Sequence, residues 1–242
     1  MAAVKPRAIP SVWARPERGR RDLPALSRDQ IVAEAVALLD ADGFEALSMR
    51  KLGARLGAGA TSLYTHVANK EELLELVVDQ VLGEIELPAP DPVRWRAAAT
   101  ELLGNVRATI LRHPWISTVL STAGLVYLGP NVMRLSEAIL AILETAGFSE
   151  TDADLATNAM VSYVVGASTT EAAMLTTVAR SGMGEQQWLD QLIRAGESAS
   201  TPYPRMHKRY TAFRNADAAT ARSSAFETQL ELILDGLEQR AH

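Results

Sequence analysis

The chain contains no cysteine, which excludes disulfides and thiolate metal sites and fits a reducing compartment. Long apolar runs are also missing. None approaches the roughly 20 residues that a membrane-crossing helix needs, and the basic N-terminus has no continuous apolar core of the secretory kind. The protein therefore reads as cytoplasmic, with no membrane partner. The four histidines are scattered. No His-Glu-x-x-His, Gly-x-Ser-x-Gly or nucleotide-binding loop occurs, so nothing points to an enzyme, a metal or another cofactor. The segment "GAGA" at 57–60 has neither a preceding strand nor a following Gly-Lys-Ser/Thr. Alternating β-branched runs and internal repeats are absent too, which leaves an all-α fold.

What is present is a chain of 242 residues, 48% hydrophobic and 22% charged, long enough for one or two domains with a real core. Its net charge of −5 argues against nucleic acid, but the distribution argues for it. Residues 1–26 carry Lys5, Arg7, Arg15, Arg18, Arg20 and Arg21 against Glu17 and Asp22, a net +4. Residues 48–70 carry Arg50, Lys51, Arg55 and Lys70 with no acid, another +4, so the remainder holds −13. Two basic zones on an acidic body suit a docking face for a polyanion, because that face alone must be positive.

Prolines at 6, 10, 16 and 24 and the lack of any period mark residues 1–26 as a flexible arm. Order is expected to begin at Ser27, an N-cap with Gln30 at N3, flanked by a Leu26/Ile31 hydrophobic staple. Asp42-Gly43 ends that helix. A second helix starts at Ser48, glycines 57 and 59 interrupt it, and a short helix follows from Thr61 to Val67. Asn69 caps a fourth, with Glu71 and Glu72 at the positive end of its dipole. The proline-rich 87–92 stretch divides an N-terminal domain, 27–86, from a C-terminal domain, 87–242. Further helices are expected near 93–111, 114–121, 130–146, 152–179, 185–196 and 222–240, while 197–221 shows no clear pattern.

Residues 48–67 meet the needs of a helix-turn-helix: a small residue facing the second helix (Gly53), a turning glycine (Gly57) and an apolar anchor (Leu63). Thr61, Ser62, Tyr64, Thr65 and His66 then face outward, able to bond phosphates or base edges. A glycine-turned hairpin alone is common in all-α proteins.

The order of residues adds more. "LLDADGFEALSMRKLGARLG" followed by "TSLYTHVANKEELLELVVDQVL" resembles the DNA-binding domain of the TetR family of transcriptional repressors along Ser27 to Leu82. The resemblance implies DNA contacts from Ser48, Arg50 and the recognition-helix residues Ala60, Thr61, Ser62 and Thr65. It implies phosphate contacts from Tyr64, His66 and Lys70. Gly53 stands where the family usually has alanine, at a cost of up to ~1 kcal/mol of helix stability. The recognition helix opens on small residues where relatives often carry longer base-reading side chains. Part of the recognition is therefore assigned to Arg15, Arg18, Arg20 and Arg21, arginines of the kind that enter a narrow minor groove. Arms like "PSVWARPERGRR" are similar to those of actinobacterial regulators of antibiotic export.

After Pro92, "LRHPWI", "VYLGPNVMRLSEAILAILETAGFSETDA" and "FETQLELILDGLEQRA" resemble the tetracycline-repressor type of C-terminal domain. That type implies a homodimer built from the long helix and the last one. The candidate interface is Ala159, Ser162, Gly166 and Thr170 with the stripe Phe226, Leu230, Ile233, Leu234 and Leu237. It also implies a small-molecule effector. Tyr127 stands where tetracycline sensors place a magnesium-binding histidine, and Pro130 replaces a pocket threonine, which points to a metal-free, mostly apolar ligand. An antibiotic or its precursor is the candidate class. Trp115, Tyr127, Met133, Tyr163, Met174 and Trp188 are candidate walls and Glu171 a polar handle; His113 is expected to serve structure beside Pro114. The expected function is a repressor that binds operator DNA as a homodimer. The alternative is a DNA-binding regulator without a small-molecule ligand.

Overall fold

The computed structural model describes residues 26–122 and 129–241. The arm arginines and Tyr127 lie outside them. Among the described residues the secondary structure is helical, with no strand.

Local chemistry sets the first helices. Helix α1, Arg28–Asp42, starts on the expected capping box: Ser27 Oγ accepts the Gln30 N–H at 3.1 Å and Gln30 Oε1 accepts that of Ser27 at 2.9 Å. It stops at Gly43, whose φ of +79° suits glycine. After a single 3-10 turn, Phe44–Ala46, Ser48 caps α2, Met49–Arg55. Gly57 turns the chain at φ +63° into α3, Ala60–Leu63, whose hydrogen-bonded turns continue to Val67. Asn69 Oδ1 then caps α4, Lys70–Leu82, at the Glu72 N–H.

Beyond the proline stretch come α5, Trp95–Arg112, α6, Ile116–Thr122, and α7, Pro130–Thr145. Then follow α8, Glu150–Ser181, α9, Glu185–Ala199, α10, Pro204–Ala212, and α11, Ala218–Glu238. The expected helices are present within a few residues. Helix α10 was not anticipated: it is strongly polar in composition and buries none of its residues.

The chain divides into two compact units, Met1–Ala146 and Gly147–His242. In the first, α1 packs on α2 and α4, and α4 also packs on α5 and α7. Ile31, Leu38, Leu52, Leu63, Leu73 and Val77 close this core completely. The proline-rich stretch at 87 thus lies within one packed unit. In the second, α8 packs on α11 and α9, and α10 lies on α9.

Candidate nucleic-acid interface and regulatory residues

The reading head is positioned by its glycines and one leucine. Leu63, fully buried, fixes α3 against the core. A Cβ at Gly53 would sit 2.8 Å from the Ala58 carbonyl oxygen and 3.2 Å from the Ala60 nitrogen. The backbone after the Gly57 turn therefore fills the space that alanine would need, which explains the departure from the family pattern. With α3 held this way, Thr61, Ser62, Tyr64 and Thr65 are exposed, and Ala60 and His66 half-buried. Tyr64 presents its ring and hydroxyl to solvent at 47% exposure. The Thr65 hydroxyl donates to the Ser62 carbonyl at 2.7 Å, and Ser48 Oγ accepts the Lys51 N–H at 3.2 Å. Both hydroxyls do local structural work first: Ser48 accepts and keeps its O–H as a donor for a phosphate oxygen, whereas Thr65 has committed its single O–H to Ser62 and would have to release it to bond one.

The basic zone is less free than its composition suggests. Lys51 pairs with Asp42 at 2.9 Å, and Arg55 with Glu34, both acids supplied by α1. Lys51 holds the Asp42 carboxyl below the usual carboxylate range, chiefly through their hydrogen bond. Lys70 Nζ stands 4.9 Å from the centre of the Phe44 ring, a cation–π contact that places it at the start of α4. Arg50 is exposed and has no acidic partner among the described residues. Within 48–70 the cations without an acidic partner among the described residues are thus Arg50 and Lys70. Sequence reasoning missed this neutralisation because the acids lie on α1, 9 and 21 residues away.

Several expected pocket residues make contacts within the fold. Trp115 is buried and donates its indole N–H to Asp40 Oδ1 at 2.6 Å. The same oxygen lies 2.7 Å from His113 Nδ1, while His113 Nε2 lies 3.2 Å from Glu84 Oε2. Arg112 also donates to that Glu84 oxygen. Trp115 and His113 thereby tie α1 and the end of α4 to the α5–α6 corner, so the indole is a joint and not a free wall. Tyr163 donates its hydroxyl to the Phe226 carbonyl at 2.6 Å and stacks on the Phe226 ring at 5.4 Å. Glu171 is buried with its carboxylate 2.7 Å from Arg222 Nε, and Arg222 also pairs with Glu185. The expected handle is therefore engaged by an internal cation. Met174 and Trp188 are half-buried, and Met133 is exposed on α7. Trp115 and Met133 belong to the first unit, the other four described candidates to the second. One polar residue was overlooked: Ser168, fully buried one turn before Glu171, has no hydrogen-bond partner among the described residues. Its signal was the i, i+3 spacing from Glu171, which puts both on one face of the helix.

The candidate dimer residues separate into two groups. Ala159, Ser162, Gly166 and Thr170 are all exposed on α8, in line with Leu155, Ala173 and Thr177. No charged side chain interrupts that face. Phe226, Leu230 and Leu234 are instead buried within the unit, along the α8–α11 seam, with Ile233 and Leu237 half-buried at its margin. The apolar stripe of α11 faces its own chain because its alternative partner, the inner side of α8, carries Met160, Tyr163 and Val164 to meet it. The outward residue of α11 is Leu232, 67% exposed.

Comparison with known proteins is consistent with this geometry. Residues 31–77 match the family described as bacterial regulatory proteins of the tetR family, and residues 87–241 match the tetracyclin repressor-like C-terminal domain. An HTH-type transcriptional regulator of Saccharopolyspora erythraea is 44% identical over 161 residues, covering 66% of this chain and 67% of the relative. The HTH-type transcriptional repressor DrrR1 of Streptomyces coeruleorubidus is 33% identical over 238 residues, 96% of this chain and 85% of the relative. Among solved structures, the Streptomyces coelicolor TetR family protein ActR in complex with actinorhodin superposes with a TM-score of 0.74 at 32% identity. That match covers 89% of this chain and 98% of that one.

Proposed function

The chain belongs to the TetR family of bacterial transcriptional regulators, and on that premise we propose that it is a cytoplasmic repressor, released from operator DNA by a small, mostly apolar molecule. The observation that carries this reading is the head itself. A buried Leu63 and a tight Gly57 turn present Tyr64, Thr65 and His66 beside Arg50 and Lys70, a set fit for phosphates. Small residues along α3 favour close approach to a major groove while reading few base edges, so the arm arginines Arg15, Arg18, Arg20 and Arg21 supply further grip in the minor groove.

The protein acts as a homodimer, since reading two half-sites a helical turn or more apart needs a two-fold assembly. Support comes from the charge-free outer face of α8, with Ala159, Ser162, Gly166 and Thr170 allowing close helix approach, and from the exposed Leu232 on α11. The residues 27–86 form the DNA-binding part and 87–242 the effector and dimer part. Tyr127, at the position of a magnesium-binding histidine in tetracycline sensors, supports a metal-free effector. The buried Ser168 hydroxyl, one helix turn before Glu171, supports a polar handle inside an apolar site. A ligand that weakens DNA binding must itself be weakened by DNA to the same factor.

Gel shifts with the promoter of an adjacent exporter or biosynthetic gene test the reading, with and without a panel of aromatic antibiotics that begins with actinorhodin. Release of the duplex by one compound supports an effector. Retention against the whole panel favours the regulator without a small-molecule ligand. Deleting residues 1–22 should weaken binding and flatten its salt dependence. An unchanged slope would show that the arm stays off the duplex.

A further inference from the structure

A cleft of about 350 Å³ opens on the head between α1 and the end of α2, lined by Leu26, Gln30, Ala33, Glu34 and Leu56. That volume suits a single ring system. Leu26, Glu34 and Leu56 are half-buried, whereas Gln30 and Ala33 are exposed. Three apolar side chains thus form its walls, and two polar ones stand among them with capacity to spare. Glu34 pairs with Arg55 through Oε1, and its Oε2 has no hydrogen-bond partner among the described residues. Gln30 spends its Oε1 on the capping box, and its Nε2 donates to none of the described residues. The cleft therefore suits an apolar ring that carries a donor for Glu34, on a segment with a backbone carbonyl for Gln30 and an excess of positive charge.

The chain itself supplies such a segment. Residues 1–25 join the described structure at Leu26, which is a wall of the cleft. They hold six cations against two acids, and their one aromatic residue is Trp13. An indole is a large apolar body with a single N–H donor. The other three tryptophans already have their packing: Trp95 and Trp115 are buried and Trp188 is half-buried. Reach is not limiting. Thirteen residue steps separate Trp13 from Leu26, roughly 43 Å when extended, whereas Glu34 lies eight residues beyond Leu26, roughly 12 Å along a helix. Closing a loop of that length costs little more than closing a shorter one.

We propose that the α1–α2 cleft is the seat of Trp13 from the same chain, with the ring between Leu26, Ala33 and Leu56 and its N–H on Glu34 Oε2. Residues 14–25 then form a closed loop on the head, and that loop carries Arg15, Arg18, Arg20 and Arg21. The four arginines assigned to the minor groove are held beside α1 before a duplex arrives, a consequence that rests on the DNA-binding reading above.

The test uses the full chain grown with 5-fluorotryptophan, which gives one fluorine resonance for each of its four tryptophans; Trp13→Phe identifies that of Trp13. In the wild type this line should be shifted from that of a labelled synthetic peptide of residues 1–25. Ala33→Gln should return it to the peptide position, because a longer neutral side chain fills the cleft. Ala33 is exposed and glutamine is a good helix former, so the Trp95 and Trp115 lines should stay in place, which a general loss of packing would not allow. A Trp13 line that matches the peptide in the wild type, or one that Ala33→Gln leaves shifted, overturns the seat. A shift that disappears on dilution to monomer makes a second copy the donor of the ring and overturns docking within one chain. Duplex binding reads the consequence separately. Ala33→Gln should weaken it in the full chain and have no effect once residues 1–22 are deleted. A released indole with unchanged affinity overturns the pre-alignment of the arginines, and a deletion that leaves affinity unchanged overturns the role of the arm in DNA binding but not the seat.

Discussion

The reading head and the second unit solve the same problem, burying apolar surface in short helices, to different degrees of completion. In the head each helix start has its side-chain cap or turning glycine, Lys51 and Arg55 are paired, and the large aliphatics are at or near zero exposure. In the second unit the outer face of α8 carries no charge over some six turns, Leu155 and Leu232 are more than half exposed, and α10 buries nothing. The head is finished against water and a polyanion. The second unit leaves an uncharged face open, the one that the proposed homodimer would cover.

The strongest way to break that contrast is Gly166→Glu. Nothing lies within 4 Å of the Cβ that it would add, and glutamate favours a helix over glycine by up to ~1 kcal/mol. The single chain should therefore fold at least as well. Across a two-fold helix packing the same change buries two unpaired like charges, costing about 3 kcal/mol or more. Sedimentation should show self-association weakened at least about a hundredfold, with operator binding lost alongside. A variant that stays dimeric at wild-type strength would remove the α8 face from the interface.

Leu63→Ala strikes the other side of the comparison. The side chain is fully buried, and its truncation should cost about 2–5 kcal/mol of head stability in denaturant titration. Self-association should be untouched, because the loss stays inside the first unit. Equal damage to the dimer would show that the two regions are not independent.

How far the sequence alone reached follows the same divide. The capping box at Ser27, the cap at Ser48 and the glycine turn at Gly57 are local interactions within four residues, so their pattern is readable without a fold. The helix at 204–212 buries none of its residues, and its strongly polar composition hid it. The α11 stripe was visible as apolar, but periodicity cannot say whether it meets its own α8 or a partner; Tyr163 on Phe226 settles that for Phe226. Trp115 reads as a pocket wall until Asp40, 75 residues earlier, is found beneath its N–H. Long-range polar pairs leave no trace in spacing, and the bond from the Asn131 N–H at the start of α7 to Asp79, 52 residues away, is of that kind.

A finer contrast lies within the head. Lys51 and Arg55 are already paired, so they should add little to phosphate binding, whereas Lys70 and Tyr64 are available to it. Lys70→Ala should lower the slope of log affinity against log salt by about 0.9 for each phosphate that the lysine neutralises. Tyr64→Phe removes one hydrogen bond from a neutral donor to an anionic phosphate and should weaken binding by about 1.5–3 kcal/mol with the salt slope unchanged. Lys51→Ala should change the slope less than Lys70→Ala; the reverse order would mean that DNA draws Lys51 away from Asp42.

The smallest effect compares two exposed carboxylates, one from each unit. Asp42 is held below its ordinary range first by its hydrogen bond to Lys51, and Asp217 first by hydrogen bonding with Thr220, whose N–H it accepts at 2.8 Å to cap α11. A carboxyl with a lowered folded-state pKa adds stability that is complete above its unfolded value, about 3.9 for aspartate. That stability is lost as the pH falls through the lowered value, because the unfolded chain takes up its proton first. Both residues should therefore steepen the acid limb of stability below about pH 4, and Asp42→Asn or Asp217→Asn should each flatten it. Salt separates them. At 1 M ionic strength the screening length falls to about 3 Å, so the Asp42 contribution, which depends on a charged partner, should fade. The Asp217 cap is a hydrogen bond within one helix turn and should persist. If both fade together, the cap on α11 draws its strength from a distant charge and not from the N–H in front of it.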